Sequence, residues 1–495
     1  MTIPIQPGGS VAGANREPAG SAIPLCVDLD GTLIRTDLLW ESVVLLARRR
    51  PLAMMLLPFW LARGKAHLKE KLARAVRIDA ATLPYNEALV EHLRRERASG
   101  RRLLLVTASH ARPAQDVANH VGLFDEVLAT EDGRNLSGAR KREELVRRFG
   151  ERGFDYAGNS AADLAVWPAA REALAVDASR AVLRRLGRRA NGMIESPRRP
   201  LPLALASAIR ARQWVKNLLV FVPILLAHRY FDGTHLAGAA LGFVAFSLGA
   251  SGVYVLNDML DVEADRLHPE KRRRPFASGE LPLGAGLALI PLLAGASLGA
   301  ALVLPPAFGI ILGVYFAATT LYSFLLKQFA LVDVLMLAGL FTLRIMAGAA
   351  ASGVDASEWL LAFSMFIFLS LAAVKRFAEL QRMVAAGEVA SKVARRGYFA
   401  ADHLLILQMG ICSGFMSVLV LALYITSDGV SRLYSRPELL WLACPLLLYW
   451  IGRIWLLAHR GEVHDDPLNF AVRDWNTWIV ALAGTAVMVA ASGAG

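Results

Sequence analysis

The 495 residues carry 54 Lys and Arg against 42 Asp and Glu, a net charge of +12, yet 55% of them are hydrophobic. A chain of this length holds more than one domain, and in an apolar chain the basic excess belongs to loops on the cytoplasmic side of a membrane; no nucleic-acid partner is expected. The three cysteines, Cys26, Cys412 and Cys444, lie in apolar runs without metal or redox spacing, which excludes a disulfide framework.

In chain order, residues 1–21 have no apolar core and read as a flexible tail rather than a signal peptide. A short apolar strand then ends in Asp28-Leu29-Asp30-Gly31-Thr32. Two aspartates and a glycine delivered from a strand into a loop stand where open α/β sheets bind ligands. Leu103-Leu104-Leu105-Val106-Thr107-Ala108-Ser109 is a second apolar strand, ending in Thr and Ser. Gly138-Ala139-Arg140-Lys141 and Tyr156-Ala157-Gly158-Asn159-Ser160-Ala161-Ala162-Asp163 follow.

Over most of residues 22–185 these stretches resemble the motifs of the haloacid dehalogenase (HAD) superfamily. The resemblance implies an α/β fold, a Rossmann-like parallel sheet with a helical cap at about 37–100. Asp28 would be the nucleophile, Asp30 the general acid and base, and Thr107 and Lys141 the groups that neutralise phosphate oxygens. Mg2+ would sit on Asp28, the Asp30 carbonyl and the fourth motif. There the family carries Asp, and this chain has Asn159, with Asp163 as a second metal candidate. The domain is expected to be either an active phosphatase or a degenerate scaffold. Residues 51–61, about 11 apolar positions flanked by Arg48, Arg49, Arg50, Arg63 and Lys65, are too short to cross a bilayer. They would lie on the membrane surface and admit a lipid substrate, or form the cap's own core. Residues 186–204, rich in Arg and Pro, read as a linker.

Residues 205–495 read as an all-α membrane domain of nine spans, roughly 214–230, 235–257, 282–302, 305–326, 330–351, 357–375, 403–425, 437–457 and 473–492. Basic residues concentrate before the first span and after the even-numbered ones, which places those loops and the soluble half in the cytoplasm of a bacterial-type inner membrane. After the second span comes Asn257-Asp258-Met259-Leu260-Asp261, then Asp265, Arg266, Lys271 and Arg272. If the helix continues, Asp258, Asp261 and Asp265 share one face at i, i+3 and i+7. Three stacked carboxylates need a cation between them, and Mg2+ bridging to a diphosphate is the natural one; the basic run would hold further phosphate charge. Arg210, Gln213 and Asn217 similarly share a helix face at the entry to the first span, beside Trp214 and Lys216; interfacial anchoring is the alternative. Asp333 and Arg344 lie within a span, where ionisable groups are functional or paired; eleven residues apart, they would line one cavity wall without pairing directly. Asp465, Asp466, Arg473 and Asp474 are expected in a solvated loop.

This half resembles the UbiA superfamily of intramembrane prenyltransferases, on the Asn-Asp motif at 257–258 and the Arg-Pro-x-x-Ser-Gly element at 274–279. Ordinary members carry a second aspartate-rich motif after the sixth span; here the position reads Lys375-Arg376-Phe377-Ala378-Glu379. Bases in place of aspartates, with His268-Pro269-Glu270-Lys271-Arg272-Arg273-Arg274-Pro275 and the Arg210 to Asn217 entry, resemble the decaprenyl-phosphate phosphoribosyltransferase branch. The resemblance implies Mg2+-dependent transfer of a phosphoribosyl group from phosphoribosyl diphosphate to a polyprenyl phosphate. Asp258 and Asp261 would be catalytic, with Asp265 as a further metal ligand. Gln213, Lys216, Asn217, Asn257, Arg266, Lys271, Arg272, Tyr322, Lys375 and Arg376 would bind substrates. The competing reading is prenyl transfer from a polyprenyl diphosphate to an aromatic acceptor. A homo-oligomer is compatible with the sequence.

Overall fold

The computed structural model describes residues 23–131, 135–187, 190–197, 199–387, 396–463 and 467–493. The expected tail at 1–21 and the pair Asp465 and Asp466 lie outside the described residues. The chain divides into two compact units, Met1–Pro200 with Met259–Gly284, and Leu201–Asp258 with Ala285–Gly495.

The first unit is built on six parallel strands: β1 (Leu25–Val27), β2 (Leu103–His110), β3 (Glu126–Thr130), β4 (Asp155–Gly158), β5 (Ala173–Val176) and β6 (Ala190–Ile194), in the order β3-β2-β1-β4-β5-β6. Alternation along the strands sends Leu25, Val27, Leu103 and Leu105 into one apolar cluster and Cys26, Leu104 and Val106 into another. A parallel sheet covered on both faces explains why β1 and β2 read as unbroken apolar runs. Strand β6 falls inside the stretch read as a linker; its register with β5, Leu174 to Gly192 and Val176 to Ile194, extends the sheet by one edge. Arginine- and proline-rich flanks masked so short a strand.

Helix α1 (Leu38–Arg49) opens the insertion, capped by the Asp37 side chain, which accepts from Leu39 N–H at 2.8 Å. The segments Pro51–Leu56 and Leu57–Ala62 bury no residue. Leu52 is 82% and Phe59 69% exposed, so this stretch is not the core of a cap.

In the second unit, eight helices among the described residues are long and apolar enough to cross a membrane: α3 (Gly233–Leu260), Leu283–Ala301, Pro306–Phe324, α5 (Val332–Ser352), α6 (Glu358–Ala385), Ala400–Ile425, Pro437–His459 and Trp475–Ser492. The ninth expected span, 214–230, is instead a 3-10 segment, Ala211–Phe221, followed by the short helix Val222–Leu226. Arg210 precedes it in a left-handed conformation (φ 51°) and Pro223 sits at the start of the short helix, so no single α-helix runs through. Arg210 stands outside this segment and the segment is not α-helical, so the shared α-helical face expected for Arg210, Gln213 and Asn217 does not form. Helix α6 runs ten residues beyond its expected end, because Phe377, Ala378 and Leu380 continue the buried seam. Lys375 and Arg376 therefore sit inside a helix rather than after one.

Candidate functional sites

Strand β1 carries the chain to Asp28, whose N–H donates to the Ala157 carbonyl on β4 at 2.9 Å. The site lies at the carboxyl ends of the central strands, where the strand order reverses about β1. Lys141 Nζ, on α2 (Ala139–Phe149; the Val262–Leu267 helix below is α4), donates to Asp28 Oδ1 at 2.6 Å and to the Tyr156 hydroxyl at 2.9 Å. Thr32 Oγ1 donates to Asp28 Oδ2 at 3.2 Å. Asp30 accepts from Leu38 N–H at 2.9 Å, from Ser109 Oγ at 2.7 Å and from Thr107 Oγ1 at 3.3 Å. The four HAD-motif stretches thus converge.

Burial pushes Asp28 up to about 7, against the Lys141 ammonium and with help from Asp163 and Asp30. Asp30 rises to about 6, first through burial and then through Asp37. Burial also opposes the charge of Lys141, but the carboxylates of Asp28 and Asp163 outweigh it and lift its pKa.

Asp163 is a loop organiser in this arrangement: it accepts from Tyr156 OH at 2.7 Å, Asn159 N–H at 3.1 Å, and Ser160 N–H and Oγ at 2.9 and 2.8 Å. Asn159 Oδ1, by contrast, is a buried acceptor with no hydrogen-bond partner. An unsatisfied hard oxygen beside Asp28 and Asp30 suits a Mg2+ ligand. Gly31 (φ 77°) makes room for it, since a Cβ there would stand 2.3 Å from Asn159 Nδ2. Among the described residues no three His, Cys, Asp or Glu side chains form a metal cluster, so an amide and a main-chain carbonyl would have to complete the set.

Sequence reasoning passed over Ser109, Tyr156 and Lys69. The first two stand within the motif stretches, and their polarity at buried strand ends was the available signal. Lys69, on the helix Lys65–Ala75, donates to the Ala108 carbonyl at 2.6 Å and had no sequence signal.

In the second motif region, α3 ends at Leu260, Asp261 is a one-residue joint, and α4 (Val262–Leu267) begins after it. The helix does not run on unbroken, although Asp265 N–H still bonds the Asp261 carbonyl at 2.8 Å. Asp258 and Asp265 are both buried, at 3% exposure. Arg210 pairs with Asp258, and Arg274 with Asp265 at 2.7 Å. Arginine supplies the positive charge that buried carboxylates require, and their oxygens are the donor type Mg2+ takes. Arg266 is turned to Glu41, while Lys271 and Arg272 are exposed.

Within the second unit Asn257 donates to Ser323 Oγ at 3.0 Å. Asn217 is buried, donating to Ser247 Oγ and accepting from Arg344 Nε, both at 2.9 Å. The Arg344 guanidinium also lies over the rings of Phe246, Tyr315 and Phe341; Lys216 Nζ stands 5.8 Å from the Phe341 ring centre. Gln213 is half-buried. Arg344 and Asp333 do not pair with each other. Asp333 instead accepts from Tyr322 OH at 2.7 Å and Arg396 at 3.0 Å, and lies 2.5 Å from Arg376, which also pairs with Glu379. The Arg376–Asp333 contact is a charge pair without hydrogen-bond alignment, as neither facing atom has a properly directed partner. Arg396 was missed because it lies far along the sequence from both acids. Of the residues expected in a solvated last loop, Arg473 is exposed, while Asp474 is gripped by Arg453 at 2.6 and 3.0 Å.

The UbiA prenyltransferase family matches residues 218–473 and the haloacid dehalogenase-like hydrolase family residues 25–167. An uncharacterized protein of Sinorhizobium fredii, y4nM, is 38% identical over 475 residues, 94% of this chain and 91% of its own. Nodulation protein NoeC of Azorhizobium caulinodans is 33% identical over 285 residues, 58% of this chain and 92% of its own. Decaprenyl-phosphate phosphoribosyltransferase of Mycobacterium tuberculosis is 32% identical over 304 residues, 60% of this chain and 97% of its own. The chain belongs to the UbiA prenyltransferase family and carries a haloacid dehalogenase-like domain at its N-terminus.

Proposed function

We propose that the membrane half transfers a phosphoribosyl group from phosphoribosyl diphosphate to a polyprenyl phosphate, and that the HAD-like domain then removes the 5-phosphate of the lipid-linked product. The observation that carries the reading is that bases, Lys375 and Arg376, stand on α6 in place of a second set of metal-binding carboxylates, with Arg396 beside them at Asp333. The likeness to a phosphoribosyltransferase over nearly that enzyme's whole length supports it.

By the motif resemblance, one or two of the carboxylates Asp258, Asp261 and Asp265 would hold Mg2+, with diphosphate oxygens completing the set, and Lys271 and Arg272 would hold the remaining phosphate charge. Gln213, Lys216, Asn217, Asn257 and Tyr322 would position the substrates. Lys375 and the partly exposed Arg396, held in place by the buried Arg376–Asp333 pair, would hold the lipid phosphate. A lipid phosphate oxygen attacks the anomeric carbon, the bond to diphosphate breaks, and diphosphate leaves with the electron pair. That nucleophile is already anionic at neutral pH, so positioning supplies much of the catalysis.

In the HAD-like domain an Asp28 carboxylate oxygen attacks phosphorus, and Asp30 protonates the departing sugar oxygen. Asp30 then takes a proton from the water that cleaves the aspartyl-phosphate. Lys141 holds charge beside Asp28, and Thr107 and Ser109 orient Asp30. When bound on Asp28, the Asp30 carbonyl and Asn159, Mg2+ supplies positive charge to the phosphoryl oxygens.

Leu52, Met55, Leu56 and Phe59 are exposed, with Arg49, Arg50, Arg63 and Lys65 around them. An apolar face with a basic rim suits the interface of an anionic bilayer and a lipid-borne phosphatase substrate. Tethering on the cytoplasmic side of the inner membrane would present product at high effective concentration, and a dephosphorylated lipid-linked pentose, an arabinan-type precursor, would result.

The test uses full-length protein in detergent with Mg2+, radiolabelled phosphoribosyl diphosphate and a polyprenyl phosphate. Wild type should yield labelled lipid lacking the 5-phosphate, Asp258→Asn no labelled lipid, and Asp28→Asn labelled lipid that retains the phosphate. Alkylation of an aromatic acid by labelled polyprenyl diphosphate, without lipid labelling, would overturn the reading.

A further inference from the structure

The loop that follows the acidic motif, Met259–Gly284, forms one compact unit with the HAD-like domain. Helix α1 joins them. Its first turn is fastened to Asp30, which accepts the Leu38 N–H at 2.9 Å. One turn on, Glu41 receives both terminal nitrogens of Arg266, at 2.6 and 3.2 Å, and the Thr36 hydroxyl at 2.7 Å. The remaining Arg266 nitrogen, Nε, donates to the Ala277 carbonyl at 3.1 Å, which closes the loop on itself. The pair is desolvated, with side chains 6% and 4% exposed. A forked guanidinium–carboxylate contact of this kind fixes orientation as well as distance. Two turns further along α1, Arg48 pairs with Glu263 at 3.3 Å. The other end of the loop is equally tight: a Cβ on Gly279 (φ 74°) would stand 2.5 Å from the Arg35 carbonyl oxygen.

We infer that Glu41, a residue of the HAD-like domain, is a positioning residue for the transferase: through Arg266 it holds the loop bearing Asp265, Lys271 and Arg272 in its diphosphate-binding form. The inference rests on the proposed reading of that loop as a diphosphate site. Arg266 acts in it as a fastener with each of its three nitrogens engaged, and phosphate contact falls to the exposed bases beyond it. The fusion is then more than a tether, because one helix starts at the phosphatase's general acid and ends on the transferase's loop.

Full-length wild type, Glu41→Gln and the exchanged pair Glu41→Arg/Arg266→Glu decide it by two measurements. Calorimetric titration with inorganic diphosphate in Mg2+ reads the site, and hydrogen exchange over residues 262–279 reads the loop. Glu41→Gln should weaken diphosphate about tenfold and accelerate loop exchange, with hydrolysis of p-nitrophenyl phosphate retained. The exchanged pair should recover most of both. Unchanged exchange in Glu41→Gln, or a released loop with unchanged diphosphate affinity, overturns the inference. Failure of the exchanged pair to recover affinity despite a quiet loop also overturns it, since Arg266 would then touch the ligand. If wild type binds no diphosphate, the transferase reading fails by itself, and loop exchange still decides whether Glu41 holds the loop. A variant that loses hydrolysis as well has lost its fold, and the exchanged pair then carries the decision.

Discussion

Asp333 is fully buried on a membrane-spanning helix, 2.5 Å from Arg376 and 3.0 Å from Arg396, with the Tyr322 hydroxyl at 2.7 Å. Asp333→Asn keeps the volume and removes the charge. Arg376, itself without exposed side-chain surface, then keeps Glu379 as its acidic partner, and that side chain is 34% exposed. Breaking a buried pair from one side costs about 3–5 kcal/mol, because a charge is left without compensation. Since Glu379 retains part of the compensation, the lower figure applies. At about 2–4 °C per kcal/mol for a unit of this size, a loss of about 3 kcal/mol lowers the melting temperature by roughly 6–12 °C. Thermal unfolding of the full chain in one detergent measures it. The double variant Asp333→Leu/Arg376→Met removes both charges and should melt within a few degrees of wild type, as buried pairs replaced by apolar side chains commonly do. That stable double variant should nonetheless fail to label lipid in the transfer assay. A melting temperature for Asp333→Asn within 2 °C of wild type, or a double variant less stable than the single, would refute charge compensation. A stable double variant with full transfer activity would remove the cluster from the site.

Asn159→Ala should raise the Mg2+ concentration needed for half-maximal p-nitrophenyl phosphate hydrolysis, and Asn159→Asp should lower it; equal requirements in all three proteins would exclude the orphan oxygen as a ligand. Leu52→Glu/Phe59→Glu should slow dephosphorylation of a lipid-borne ester in anionic vesicles while leaving p-nitrophenyl phosphate turnover intact. Parallel loss of both would mean the patch supports the fold rather than lipid access. Raising the pH through about 6 should remove the Asp30 proton, because its buried carboxyl is held above the usual carboxylate range. Phosphatase kcat should therefore fall on the alkaline side when departure of the sugar oxygen is limiting. A flat kcat between pH 5 and 8 with a poor leaving group would contradict Asp30 as the acid.

Much of this was legible in the residues. Strand β1 and its two aspartates could be read because a parallel strand buried on both faces is an unbroken apolar run, and its end must be polar to bear chemistry. The membrane helices could be read because a bilayer fixes their length. The convergence of Asp28, Thr107, Lys141 and Asn159 followed from motif resemblance, and the folded chain supplied the distances. Three things depended on backbone detail that composition does not carry. The break into a 3-10 segment at 211–221 hangs on one left-handed residue and one proline, the joint at Asp261 on one residue's non-helical backbone (φ −96°, ψ 8°), and strand β6 on a neighbour with a free edge.

What the sequence by itself determined is chemical identity: which residues are acidic, basic or apolar, and that bases replace acids at 375–376. Only the tertiary structure decided which charges answer one another. Asp333 meets Arg376 and Arg396, not Arg344; Arg266 meets Glu41, 225 residues away. Local spacing tells which side chains share a helix face, but a buried charge is compensated by whatever packing brings within a few ångströms. That choice belongs to the fold.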